Sequence, residues 1–300
     1  MDFQKLARSR FGIGLVILIG RLVPVKIAYR LSRLIADRIA THGDSPLVRA
    51  IRLNQWVVGG KSSSSADLDH ATRTVLRHAA RCAVDMYHNL ANPRGIFNLI
   101  KFSPRLEAII TRSKEGSGPG LLIGLHLSNF DLALIAWGLK GMQVQVLSYS
   151  DPTGGYEWQN RLRIGSGLEV TPISGRVLRK AIRRLRNGGY VMTAVDRPIP
   201  GVESSIQFFD LPALLPDGYI RLALDSGAPI QVVYTFMRTD GTYFADITDP
   251  IEEPRHVEGK EKVRVYAEAV LKVLESLIRE HPHQWLMYYP VWPELLDEVT

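Results

Sequence analysis

Residues 121–137 read Leu-Leu-Ile-Gly-Leu-His-Leu-Ser-Asn-Phe-Asp-Leu-Ala-Leu-Ile-Ala-Trp. Residues 121–126 are an apolar run ending in a histidine, with the length and composition of a buried strand. A helical pattern follows over 129–140, so a strand passes into a helix through a short turn that contains Ser128 and Asn129. Outward from this unit the same alternation continues. Further strand candidates lie at 143–149, 168–173, 190–196, 229–237 and 242–249, and further helical patterns at 174–187, 217–226 and 260–280. The alternation predicts an α/β fold: a central mixed, largely parallel sheet flanked by helices. The helix at 174–187 is well specified, with Leu178, Ala181, Ile182 and Leu185 as its buried stripe and Gly188-Gly189 as its stop. Upstream, residues 47–111 read as helical with breaks at 62–65 and 92–95. The Gly-Ser-Gly-Pro-Gly run at 116–120 precedes a strand, whereas a dinucleotide-binding fingerprint follows one.

In an open α/β sheet, ligands meet catalytic groups at the carboxyl ends of strands, which is where His126 stands. Asp131 lies five residues on. On one continuous helix that spacing points the two side chains apart, so they meet only if the chain turns between them. A carboxylate accepting the proton of one ring nitrogen would fix the tautomer and leave the other nitrogen basic, able to deprotonate a hydroxyl attacking a thioester. The competing reading is structural: Ser128 followed by Asp131 is also a helix capping-box pattern.

The 300 residues carry a formal net charge of +7, concentrated in two places. Residues 1–40 hold eight basic side chains against Asp2 and Asp37, a net +6. Within them an apolar run at 12–20 is too short to span a bilayer, which needs about 20 residues. A helix follows in which Ile27, Leu31 and Leu34 line one face and Lys26, Arg30 and Arg33 another. We therefore expect residues 1–45 to be an amphipathic basic membrane-associating leader, ahead of a catalytic domain at 46–300. An ordinary packed helix with a solvated basic face is the alternative. The second basic excess lies at 161–187, where Arg176 opens a helix and could meet a phosphate through its guanidinium and the helix start together. Aromatic residues do not interleave that helix and no reader motif is present, so nucleic acid is not an expected partner. A single cysteine, Cys82, excludes an internal disulfide. The one close histidine pair, His281 and His283, lacks the carboxylate or cysteine that would complete a ligand set, so no metal is expected.

The stretch His-Leu-Ser-Asn-Phe-Asp at 126–131 resembles the His-x4-Asp motif of glycerolipid acyltransferases, in the branch holding the lipid A lauroyl/myristoyl and the phosphatidylinositol mannoside acyltransferases. The resemblance continues through Arg163 ahead of Gly-Leu-Glu-Val at 167–170, and Gly-Gly-Tyr-Val-Met-Thr-Ala-Val-Asp-Arg at 188–197. It extends through Gly201-Val-Glu203, Phe-Phe-Asp-Leu-Pro-Ala at 208–213, residues 223–229 and Gln284-Trp285, and covers residues 1–293. It implies transfer of a fatty acyl chain from acyl-CoA or an acyl-carrier protein to a hydroxyl of a membrane lipid, without cofactor or metal. It further implies His126 and Asp131 as catalytic residues, Arg163 and Glu203 as substrate-binding residues, and a peripheral or monotopic location on the cytoplasmic face of the cell membrane. The acceptor is left open between phosphatidylinositol mannoside-like and lipid A-like lipids. Three departures fall near Glu203: Ile199 stands where the family usually has an acidic residue, two extra residues precede Phe208, and Asp210 replaces a usual glycine. Two other functions compete. A thioesterase or lipid hydrolase could use the same His/Asp pair, although no Gly-x-Ser-x-Gly elbow is present. A non-enzymatic protein could bind anionic lipid through the basic surfaces alone.

Overall fold

The computed structural model describes residues 23–152, 154–202 and 205–299. The apolar run at 12–20 and Glu203 lie outside the described residues. The described chain begins with helices α1 (Val25–Ala40), α2 (Pro46–Val58), α3 (Ser65–Asn89) and α4 (Pro93–Leu99), a short strand β1 (Ile100–Phe102) and helix α5 (Pro104–Glu115). It continues through β2 (Gly120–Gly124), α6 (Phe130–Leu139), β3 (Val144–Ser148), α7 (Gly155–Gly165), β4 (Glu169–Pro172), α8 (Gly175–Arg186) and β5 (Tyr190–Ala194). A hairpin, β6 (Ile206–Phe208) and β7 (Leu211–Ala213), then precedes α9 (Gly218–Ser226), β8 (Ile230–Met237), β9 (Tyr243–Ile247) and α10 (Gly259–Glu280).

Seven strands form one sheet in the order β1-β9-β8-β2-β5-β3-β4. Every neighbouring pair is parallel except β8–β9, so the sheet is the expected mixed, largely parallel one. β2 is central and buried throughout, which is why its sequence is an unbroken apolar run. Alternate side chains enter different cores: Leu121 and Ile123 pack with Leu185 of α8, Ile220 of α9 and Val270 of α10, while Leu122 packs with Val75 of α3, Ile110 of α5 and Ile135 of α6.

The helix boundaries follow from capping chemistry. Ser64, in the polar break at 62–65, forms a reciprocal capping box with Asp67 at the start of α3. Asn92 caps α4 with Pro93 in its first turn, and Ser103 caps α5 with Pro104 there. Helix α8 buries Ala181 and Leu185 and ends at Asn187, after which Gly188 takes a left-handed φ of 81°. There a side chain would meet the carbonyl oxygen of Gly116 at 2.8 Å.

Three elements were not legible in the residue pattern. Strand β1 has only three residues, too few to show a period, and helix α7 is polar along much of its length. The β6–β7 hairpin turns at Phe209 and Asp210, both left-handed (φ 53° and 57°), where Asn-Gly would be the usual signal. A left-handed φ at 210 also accounts for the glycine usual at that position in the resembling sequences; here Asp210 is tied by its carboxylate to Lys272 Nζ at 2.9 Å.

Candidate active site

Gly124 at the end of β2 is in register with Ala194 at the end of β5. Two residues further on each parallel strand stand His126 and Asp196, side by side at the carboxyl edge of the sheet. Asp196 Oδ1 accepts from His126 Nδ1 at 2.8 Å. Its Oδ2 accepts the backbone N–H of His126 and the indole N–H of Trp285, each at 2.9 Å. Burial alone would push this fully enclosed carboxyl upward; the adjacent imidazole and the N–H donors outweigh it and hold the carboxyl below its usual range. An ionised Asp196 makes Nδ1 the protonated nitrogen and leaves the Nε2 lone pair available. Nε2 has no hydrogen-bond partner among the described residues, and the ring packs edge-on against Phe130 at 4.9 Å.

The turn after His126 is fixed from several sides. Ser128 adopts φ 51°, is buried, and its Oγ lies 2.9 Å from His78 Nε2. Burial depresses the His78 pKa to about 4, so that ring is neutral at physiological pH. A segment near the carboxyl end pairs with the turn: Leu286 N–H donates to the His126 carbonyl and Ser128 N–H to the Gln284 carbonyl, both at 2.7 Å. Asn54 of α2 anchors this strap through the carbonyls of Met287 and Tyr289. The helix cap is Asn129, whose side chain accepts from Leu132 N–H; Ser128 faces His78 instead, so the capping-box reading of residues 128–131 does not describe α6.

Asp131 occupies the first turn of α6 and engages Arg163, not His126. One carboxylate oxygen accepts from Arg163 Nε at 3.0 Å and Nη2 at 2.5 Å. The expected direct hydrogen bond from His126 to Asp131 is not formed, because Asp196 occupies Nδ1 and Arg163 occupies Asp131. Arg163 is itself buried on α7 and also donates to Asn160 Oδ1 at 3.1 Å. Its burial opposes the charged form, but Asp131 outweighs that penalty and raises the guanidinium pKa. Arg176 is exposed in the first turn of α8 and does not line the cavity described next.

His126, Asp131 and Arg163 line one cavity of ≈ 620 Å³, within the range of small-molecule sites. Leu134, Trp137, Val146, Met192, Val233 and Leu286 supply apolar wall, and Tyr87, Tyr149, Tyr156, Tyr234, Tyr288 and Tyr289 add amphipathic rings. Among the described residues no group of three or more His, Cys, Asp or Glu side chains is placed to hold a metal. His281 stacks on Phe236, and His283 bonds Gln55.

The family model for bacterial lipid A biosynthesis acyltransferases matches residues 10–293. The chain belongs to that family. Two phosphatidylinositol mannoside acyltransferases of Mycobacterium tuberculosis are similar to this acyltransferase-family chain. The one from strain CDC 1551 / Oshkosh is 25% identical over 193 residues, and the one from strain ATCC 25618 / H37Rv is 26% identical over 196 residues. Each match covers 61% of this chain and 57% of the relative, so the similarity spans a little over half the length of those proteins.

The Asp131–Arg163 pair predicts a stability effect in this family member. Asp131→Ala leaves a buried guanidinium without its counter-charge, and unfolding in denaturant should show a loss of about 3–5 kcal/mol. A double variant, Asp131→Leu with Arg163→Met, should recover much of that loss by removing both charges. Wild-type stability of Asp131→Ala would show that the pair does not hold α6 against α7.

Proposed function

We propose that the protein transfers a fatty acyl chain from a thioester, acyl-CoA or acyl-carrier protein, to a hydroxyl of a membrane glycolipid or phospholipid. The observation that carries this reading is His126, with Nδ1 tied to a buried carboxylate, lining a largely apolar cavity. As the hydroxyl oxygen attacks the thioester carbonyl carbon, its proton passes to Nε2 of His126. The tetrahedral intermediate then collapses with cleavage of the C–S bond, and the sulfur leaves with the proton from Nε2. Asp196 is the positioning residue: it fixes the tautomer and stabilises the imidazolium. Asp131 and Arg163 add an ion-paired polar part to the cavity lining, and the pair ties α6 to α7. Glu203 and Arg176 are further proposed substrate contacts, the latter from outside the cavity with an anionic headgroup or donor phosphate.

The names of the relatives support a phosphatidylinositol mannoside-like acceptor, and the family description supports a lipid A-like one. Incubating purified protein with labelled acyl-CoA and a total lipid extract, followed by mass spectrometry, should yield an acylated lipid. Free fatty acid as the sole product would replace the transferase reading with the hydrolase one.

A location on the cytoplasmic face of the cell membrane, without a spanning helix, belongs to the same proposal. No helix of the described residues is long and apolar enough to cross a membrane. Helix α1 buries Ala28 and Ala36 and packs against α3, yet leaves Ile27, Leu31, Leu34 and Ile35 between 46% and 65% exposed. Lys26, Arg30 and Arg33 lie on the same helix, as an interfacial helix requires. Replacing Leu34 and Ile35 with Glu should weaken co-sedimentation with anionic vesicles while leaving thermal unfolding unchanged, because neither side chain is in the core. Undiminished vesicle binding would remove α1 from the membrane-facing surface.

A further inference from the structure

Acyl transfer places a negative charge on the thioester carbonyl oxygen, and a site that accelerates it needs donors aimed at that oxygen. Several donors beside His126 are already engaged. The amides of His126, Leu127 and Ser128 donate to Asp196, Leu125 and Gln284, and the Trp285 indole donates to Asp196. The Asn129 side-chain Nδ2 donates to the Cys82 carbonyl. Of the two guanidinium groups that line the cavity, Arg163 is ion-paired with Asp131.

Arg197 is the other guanidinium. It follows Asp196 directly, lines the cavity with His126, and has no ion-pair partner among the described residues. Its Nε is buried without a hydrogen-bond partner, and its guanidinium carbon lies 4.1 Å from the centre of the Tyr289 ring. The stack on Tyr289 holds the planar group in place without neutralising it. We infer that Arg197 is a catalytic residue that binds the oxyanion formed when the acceptor hydroxyl attacks the thioester carbonyl. His126 takes the proton of the nucleophile; Arg197 receives the charge on the carbonyl oxygen, whose electron pair re-forms the C=O bond as the C–S bond breaks and the sulfur leaves with the C–S pair and the proton from Nε2.

The inference rests on the proposed thioester chemistry, and product analysis separates the two. Arg197→Met keeps an apolar stem against Tyr289 and removes the charge. Its kcat should fall by about 10²- to 10³-fold, the usual effect of deleting one oxyanion donor, with KM for donor and acceptor little changed. Thermal unfolding of the variant checks the fold, and Arg197→Gln gives the same reading should the Met variant be unstable. A wild-type kcat in a folded variant, or a loss confined to KM, would overturn the assignment and leave the cation as a ground-state contact or a bystander. A wild-type protein that hydrolyses thioesters without acylating lipid defeats the proposed acceptor, but hydrolysis passes through the same oxyanion and Arg197→Met is then read on that reaction. A wild-type protein inert towards thioesters overturns both.

Discussion

His126→Ala should lower acyl transfer by about 10²- to 10⁴-fold, the usual span of a general-base contribution, while donor binding persists. No second imidazole can replace it. The histidine that approaches the same turn, His78, is enclosed, has its Nε2 against Ser128, and takes up a proton only near pH 4. The side chain of His126 is one-fifth exposed and its loss opens space into an existing cavity, so the fold should survive. Turnover and donor affinity measured side by side on the folded variant decide the matter. Transfer within a few-fold of wild type would dismiss His126 as the base.

Asp196→Asn should be nearly as damaging although it changes no shape. The carboxylate accepts three N–H groups: one oxygen takes the imidazole Nδ1–H and the other takes the His126 amide and the Trp285 indole. An amide has only one accepting atom. If its oxygen serves the two fixed donors, its NH₂ faces Nδ1 and drives the ring proton to Nε2, the nitrogen that must be free to act as base. If the amide turns over, NH₂ confronts two N–H groups in a buried site. Either arrangement should reduce kcat by about 10²-fold or more, since an orienting carboxylate also stabilises the imidazolium. The first arrangement leaves the unfolding midpoint close to wild type. Full activity in Asp196→Asn would show that the tautomer of His126 does not matter to turnover.

The strand and helix spacing around 121–137 was enough to place the sheet, because buried parallel strands are continuous apolar runs and the helices between them carry a clear stripe. His126 was legible for the same reason: it ends a strand. Its partner is not, since Asp196 lies 70 residues away in the chain, where the pattern shows only the end of the strand at 190–196 and the family resemblance at 188–197 gives the residue no role. The usable signal was the pairing itself. Once β2 and β5 are neighbours in register, the polar residues two positions beyond each must face one another. Asp131 drew the assignment because nearness in sequence is visible and nearness across a sheet is not. Burial of Arg163 on the polar helix α7, which settles where Asp131 turns, leaves no period to read.

The strap over the turn after His126 gives the proposed active site a direction in time. Residues 284–286 clasp the turn at 126–128, and Trp285 supplies one of the donors on Asp196. About 160 residues of chain must be synthesised after His126 before that clasp can close, and contacts of such long sequence separation are among the slowest to form. The β2–β5 edge can assemble earlier, as a paired base and carboxylate still open on the side where Trp285 will lie. Under the proposed chemistry, a chain that ends short of residue 285 would hold His126 and Asp196 without the indole donor that completes the set on the carboxylate.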